Sequence, residues 1–208
     1  MATVGLLLSL WAPATVHAGA PAIGVGVALV GCVIEIHGDS TLHKYAAISH
    51  SCRAAFSVDE GAGDAPSPTA LDALIKGGHI KRFSLTVPVA TLKSGDSRLD
   101  DHMWKALKES QFKLIRFDMD SYRPLPPAAD GELFEFTMQG RLRVAGVSRP
   151  ISLTAAARAT ADGLQVSGAK DLLMTDFQVT PPTLFLGTIK TADLVTIKFN
   201  AELRATGP

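Results

Sequence analysis

Apolar and polar residues alternate strictly along several stretches of this chain. The clearest stretch, residues 82–89, places Phe83, Leu85 and Val87 at every second position. Because successive strand side chains point to opposite faces, this period puts the apolar residues on one face. A sheet with one apolar and one polar face is typical of antiparallel strands, since parallel strands are covered on both faces. The pattern therefore predicts an antiparallel β protein with an apolar interior.

Eight strands follow from this alternation and from the turn residues between the stretches. They are predicted at residues 32–37, 50–58, 79–92, 113–122, 133–145, 148–159, 163–174 and 193–204. Eight antiparallel strands can close into a barrel whose interior is filled by side chains or holds one ligand. Closure also removes the exposed edges that such a sheet would otherwise present. We therefore expect an all-β fold, an eight-stranded antiparallel barrel.

Two segments have helical periodicity instead. Residues 69–76 space three aliphatic side chains along a short helical face. In residues 99–109, Leu99, Met103 and Leu107 are each four positions apart, which predicts an amphipathic helix with one apolar stripe. Ser97 and Asp100 have the spacing of a capping box at its start. This helix is expected to pack on or into the barrel.

The beginning of the chain resembles a secretory signal. The apolar run 4–11 precedes small residues that fit a cleavage site after Ala18, Ala20 or Ala22, although the first basic residue is Lys44. We expect a signal peptide over residues 1–22 and a folded domain over residues 30–206, with no permanent membrane span after processing. The protein is then periplasmic or secreted. The second apolar run, 22–33, leaves a membrane anchor as the alternative.

The chain has two cysteines, Cys32 and Cys52, and both lie on the apolar side of their predicted strands. A hairpin that turns near Leu42 or His43 would bring them opposite each other. A disulfide would then be favoured in an exported protein. Two buried thiols that behave as small hydrophobic residues are the alternative, and the sequence leaves both open.

No motif for catalysis, metal binding or nucleic-acid binding is evident. The 20 basic and 20 acidic residues balance, and no basic cluster interleaved with aromatic residues favours nucleic acid. The six histidines include no pair at the spacing of helical metal ligands. A glycine-framed serine and a phosphate loop are also missing. We therefore expect no enzyme, no cofactor and no nucleic-acid partner.

Several short strings, taken in order, resemble the YceI-like family of polyisoprenoid-binding, lipocalin-like bacterial periplasmic proteins. They span residues 38–43, 92–95, 99–108, 115–117, 140–151, 174–177 and 181–183. The resemblance covers about residues 32–204, and it departs from the family at Leu99-Asp100, where many members carry Arg-Asp. It implies a lipocalin-like barrel whose cavity, in some members, holds a long apolar chain.

The function implied by this resemblance is to bind a long-chain apolar lipid and to carry or sequester it. A polyisoprenoid, a quinone-like molecule or a fatty-acid derivative would suit such a cavity. The expected lining consists of Phe83, Leu85, Val87, Met103, Trp104, Leu107, Phe117, Met119, Phe134 and Phe136. For each of these residues, membership of an ordinary filled core is the alternative.

Two other functions stay open at this point. The protein could be an enzyme or accessory factor that acts on such a lipid, with Asp100, His102 and Asp176 as candidate residues. It could also be a barrel without a ligand that acts in stress tolerance through its surface. The sequence leaves a homodimer open as well.

Overall fold

The fold is an antiparallel sheet that curls into a barrel. The computed structural model describes residues 27–59, 67–126, 133–184 and 189–205. Within these ranges the strands are β1 (Val27–Ser40), β2 (Tyr45–Ser49), β3 (Arg53–Val58), β4 (Ile80–Pro88), β5 (Leu114–Pro124), β6 (Phe134–Val144), β7 (Val147–Ala159), β8 (Gly163–Leu173), β9 (Thr183–Leu184) and β10 (Ile189–Ala205). The helices are α1 (Pro68–Lys76) and α2 (Ser97–Ala106).

The strands pair in the order β2-β1-β10-β8-β7-β6-β5-β4-β3, and β9 adds to β10. All of these pairings are antiparallel. Near the two ends of the path, Ile48 of β2 and Lys93, in the loop after β4, exchange backbone hydrogen bonds of 2.8 and 2.9 Å. The curled sheet is therefore joined to itself by one bridge, and its apolar face turns inward.

The predicted all-β, antiparallel class is confirmed, with ten strands in the described residues instead of eight. The difference arises mainly at the first hairpin. The Ser40 hydroxyl donates to the His43 carbonyl at 2.7 Å and accepts from the His43 amide at 3.2 Å. This tight turn lies where the hairpin was expected, and the chain pairs again from Tyr45. The predicted strand 50–58 consequently begins at Arg53, and residues 45–49 form a separate strand.

Each helix lies at a different end of strand β4. Helix α1 connects β3 to β4 and buries Leu71, Leu74 and Ile75. Helix α2 follows the other end of β4 and leads into β5. A strand crosses the barrel from end to end, so the two helices lie at opposite ends of the interior.

The predicted capping box at the start of α2 is wrong. Asp96, not Ser97, caps the helix, because its carboxylate accepts hydrogen bonds from the amides of Arg98 and Leu99 at 2.8 and 3.1 Å. Asp100 does not reach back to the cap. Its carboxylate accepts from the Ser94 amide and hydroxyl instead, both at 2.7 Å.

Cys32 and Cys52 form a disulfide, with their Cα atoms 6.0 Å apart. The bond links β1 to the segment just before β3, and these strands lie near the two ends of the pairing path. It is thus a covalent link close to the place where the sheet meets itself.

The predicted signal peptide, residues 1–22, lies outside the described residues and stays a prediction. Among the described residues, no helix has both the length and the apolar character needed to cross a membrane.

We predict that removing the disulfide lowers the free energy of unfolding by about 3 kcal/mol, because the bond closes a loop of 20 residues in the unfolded chain. Urea unfolding of the protein with and without a reductant measures this change. The variant with both cysteines replaced by serine is the control, since its unfolding should not respond to the reductant. If the reductant changed the free energy of unfolding equally in the unmodified protein and in the serine variant, the prediction would be contradicted.

Candidate functional site

The barrel interior contains unfilled space next to α1. This first chamber has a volume of about 180 Å³. Its walls come from nearly every strand of the sheet, and Ile75 of α1 lies at its end. Phe83 and Phe117 are neighbours on its wall, with ring centroids 6.3 Å apart. The inward-facing side chains of the sheet therefore do not meet tightly at this level.

A second chamber, of about 150 Å³, lies next to α2. Leu99, Met103 and Leu107 line it, which are the three residues of the apolar stripe of the helix. Phe177 and Val179 line it from the segment after β8, and both are buried. The helix thus forms one wall of the second chamber with its apolar face.

The two chambers are adjacent, because they share part of their walls. The shared side chains, which we call the waist, are Ile34, Val87, Ile115, Leu142, Leu172 and Ile197. All six are aliphatic. The two chambers therefore adjoin at this aliphatic waist, and one apolar lining extends from α1 to α2.

Few polar groups reach this surface. In the first chamber, the Tyr122 hydroxyl donates to the Ile75 carbonyl, and burial raises the pKa of that phenol. In the second, burial, followed by the charge of Asp39, raises the pKa of Tyr45. Both phenols consequently stay neutral at physiological pH. Lys170 is the charged residue in the wall of the first chamber.

The structure brings most of the predicted lining residues to the chamber walls. Six of them line the first chamber, namely Phe83, Leu85, Val87, Phe117, Met119 and Phe136. Met103 and Leu107 line the second, which Val87 also reaches. Whether they contact a ligand stays a prediction.

Two predicted lining residues lie elsewhere. The Trp104 indole donates to the Leu92 carbonyl at 3.1 Å, and the Lys93 ammonium lies 3.8 Å from the centre of its ring. Trp104 therefore packs on the loop after β4 and not on the chamber. Phe134 stacks on Phe136, with centroids 6.0 Å apart, and packs against the core near α1.

The waist was not predicted from the sequence. Of its six members, only Val87 was expected to line a cavity. Their convergence depends on how strands distant in sequence align, for example Ile34 opposite Phe199 and Leu172 opposite Val195. The period of two gives the face of a residue, but it does not give its height in the barrel.

The three residues considered for catalysis line neither chamber. Asp100 is buried, accepts two hydrogen bonds from Ser94 and forms an ion pair of 3.7 Å with Lys93. Burial alone would raise the pKa of Asp100, but Ser94 and Lys93 outweigh it and hold that pKa below its ordinary value. Asp100 thus anchors the loop before α2. His102 and Asp176 are exposed.

Among the described residues, no group of three or more His, Cys, Asp or Glu side chains is placed to hold a metal ion.

Asp100→Asn should lower the free energy of unfolding by about 1–3 kcal/mol near neutral pH, since it removes charge-assisted hydrogen bonds from a buried carboxylate. The pKa of Asp100 is lowered by folding. Its stabilisation is therefore complete above the unfolded-state pKa, about 3.9, and is lost as the pH falls through the folded-state pKa.

Urea unfolding of the protein and the variant over a range of pH tests this expectation. The difference between them should shrink as the solution is acidified below about pH 3.9. Asp101→Asn is the matched control, because Asp101 is the exposed neighbour of Asp100. An Asp100→Asn effect that is constant with pH, or equal to that of Asp101→Asn, would contradict the role of the carboxylate.

Comparison with known proteins gives a consistent family assignment. A family model described as a YceI-like domain matches residues 39–203 of the chain. No curated protein matches it.

Several solved structures share the fold at low sequence identity. BcnA of Burkholderia cenocepacia is 14% identical, with a TM-score of 0.61 over 83% of this chain and 95% of its own. A polyisoprenoid binding domain from Saccharophagus degradans, implicated in plant cell wall breakdown, is 13% identical, with a TM-score of 0.60 over 86% of this chain and 98% of its own. The YCEI protein of Campylobacter jejuni is 16% identical, with a TM-score of 0.52 over 98% of this chain and 93% of its own.

Proposed function

Because the chain belongs to the YceI-like family, we propose that it binds a long-chain apolar lipid inside the barrel and carries or sequesters that lipid. Polyisoprenoids, quinone-like molecules and fatty-acid derivatives are the proposed ligand classes, since each has a long hydrocarbon chain. A polyisoprenoid binding domain among the proteins of the same fold supports this choice.

The observation that carries the proposal is that two apolar chambers adjoin along one barrel axis and share the aliphatic side chains of the waist. Ligand pockets commonly have volumes of about 300–1,000 Å³. Each chamber alone, at about 180 and 150 Å³, is smaller than that range. A narrow, flexible chain can extend through the waist and fill both, whereas a compact ligand cannot. The shape of the interior therefore favours a chain over a globular molecule.

The binding energy would come from apolar burial. Each buried CH₂ group contributes about 0.8 kcal/mol, so a long chain can bind tightly without a polar partner. Aliphatic and aromatic walls also adapt to chains of different chemistry. Selection among ligands would then depend on chain length and on the fit at the waist.

We propose a binding protein and not an enzyme. Asp100 is engaged in holding the loop before α2, and His102 and Asp176 do not line either chamber. A lipid in the chambers would therefore meet none of the three groups that were considered for chemistry.

A periplasmic or secreted location is part of the same proposal. The disulfide between Cys32 and Cys52 supports an oxidising compartment, where such bonds persist. The signal-like start of the sequence supports export. A homodimer stays a prediction from the sequence.

A chain-length series tests the proposal at the waist. We expect the affinity for linear alcohols, from octanol to eicosanol, to rise roughly fourfold for each CH₂ until both chambers are full. In Leu172→Trp, a larger side chain obstructs the waist, so the rise should stop at a shorter chain. Displacement of a neutral fluorescent dye measures each affinity.

Leu194→Trp is the matched control, because Leu194 is 51% exposed and belongs to neither chamber. It should behave like the unmodified protein. If the affinity stops rising at the same chain length in the unmodified protein, in Leu172→Trp and in Leu194→Trp, the alcohol chain does not pass through the waist. Failure of every alcohol to bind would overturn lipid binding and favour a barrel without a ligand.

A further inference from the structure

A lysine occupies the apolar register of strand β8. Alternate residues of this strand, Leu164, Val166, Lys170 and Leu172, belong to its inward face. Leu164 and Val166 are buried in the core, and Leu172 is part of the waist. Lys170 itself lines the first chamber and is partly buried. A charged side chain thus stands where its neighbours on this face are apolar.

Lys170 lies at the level of the waist. Its cross-strand partner on β10 is Ile197, which lines both chambers. The next inward residue of β8, Leu172, also lines both. Lys170 therefore lies on the strand at the level where the two chambers adjoin, and not at the end of the interior near α1.

No ion pair or hydrogen bond joins the Lys170 ammonium to another of the residues that the structure describes. The adjacent Asp171 alternates to the outer face, where it accepts from the Thr196 hydroxyl at 2.6 Å. Asp193, nearby on β10, accepts from the amide and hydroxyl of Thr175. The apolar stem of Lys170, and not its ammonium, contributes surface to the chamber, and these nearby carboxylates already have other partners.

The hydrogen-bonded wall of the barrel is interrupted beside Lys170. Pairing between β7 and β8 covers Ala155–Ala159 with 164–168 only. Beyond Gly168, β8 pairs with β10 alone and β7 pairs with β6 alone. The strands come together again through the segment after β8, where Arg149 donates to the Asp176 carbonyl at 2.7 Å. Between these points lies a gap in the hydrogen-bonded wall, with Lys170 on one side of it.

We propose that Lys170 binds the acidic head group of the lipid, a carboxylate or a phosphate, at the gap between β7 and β8. This proposal rests on the proposed function and specifies its ligand as an anionic amphiphile. The head group pairs with the ammonium and keeps access to water through the gap. The hydrocarbon chain extends from there into the chambers. The long stem of the lysine can contact the apolar wall while its charged end meets the head group.

The test compares ligands that share a chain but differ in the head group. Hexadecanol, palmitate and hexadecyl phosphate are titrated into the delipidated full chain by displacement of a neutral dye. Lys170→Met should weaken binding of palmitate, of hexadecyl phosphate or of both by roughly tenfold to a hundredfold, the range of a charge-assisted hydrogen bond. Binding of hexadecanol should change little. A larger loss for palmitate would identify the head group as a carboxylate, and a larger loss for hexadecyl phosphate would identify it as a phosphate.

Two variants control the comparison. Lys198→Met makes the same change on the exposed face of β10, and it should leave all three affinities unchanged. Lys170→Arg keeps the charge and should retain acid binding. Thermal unfolding verifies that each variant is folded.

The outcomes separate the two proposals. If hexadecanol binds and Lys170→Met affects all three ligands equally or none, the role of Lys170 is overturned while lipid binding stands. If no ligand binds to the unmodified protein, the proposed function fails and this inference fails with it.

Discussion

Apolar surface that faces an enclosed space can be removed from water only by other side chains or by a ligand. In this barrel the sheet turns its apolar face inward, but the side chains leave two chambers between them. The chambers adjoin at the aliphatic waist, and the helices limit them at opposite ends. The function that we propose follows from this unfilled apolar surface, because a hydrocarbon chain is the ligand whose shape and chemistry complement it.

Charged groups near the interior are few, and each has a defined place. Asp100 is satisfied by Ser94 and Lys93 and holds the loop from which α2 begins. Lys170 has no such partner among the described residues, and it stands beside the gap between β7 and β8. The Asp100 carboxylate has its partners within the protein, whereas the Lys170 ammonium is left available for an anion from outside. This contrast is the reason to treat one as structural and the other as part of a binding site.

The strand period predicted the class of the fold and the face of most side chains. The stripe of Leu99, Met103 and Leu107 likewise predicted the side of α2 that meets the interior. Trp104 lies outside both chambers because successive residues of a helix with 3.6 residues per turn are rotated by about 100°, and its neighbour Met103 faces the interior. That rotation directs the indole to Leu92 and Lys93. Lys170 was not singled out from the sequence, because its significance depends on the gap beside it, which only the strand pairing shows.

Strand register and the extent of filling could not be predicted in this way. Ile34, Leu142 and Ile197 come from strands far apart in sequence, and they meet only because their pairings place them at one height. Whether such side chains fill a barrel or leave space depends on its curvature, which alternation does not encode. The most direct test is a crystal structure of the protein with hexadecanol that carries a terminal bromine. We predict anomalous signal inside one chamber and continuous chain density through the waist into the other. Bromine bound only on the outer surface, with both chambers free of chain density, would contradict the account.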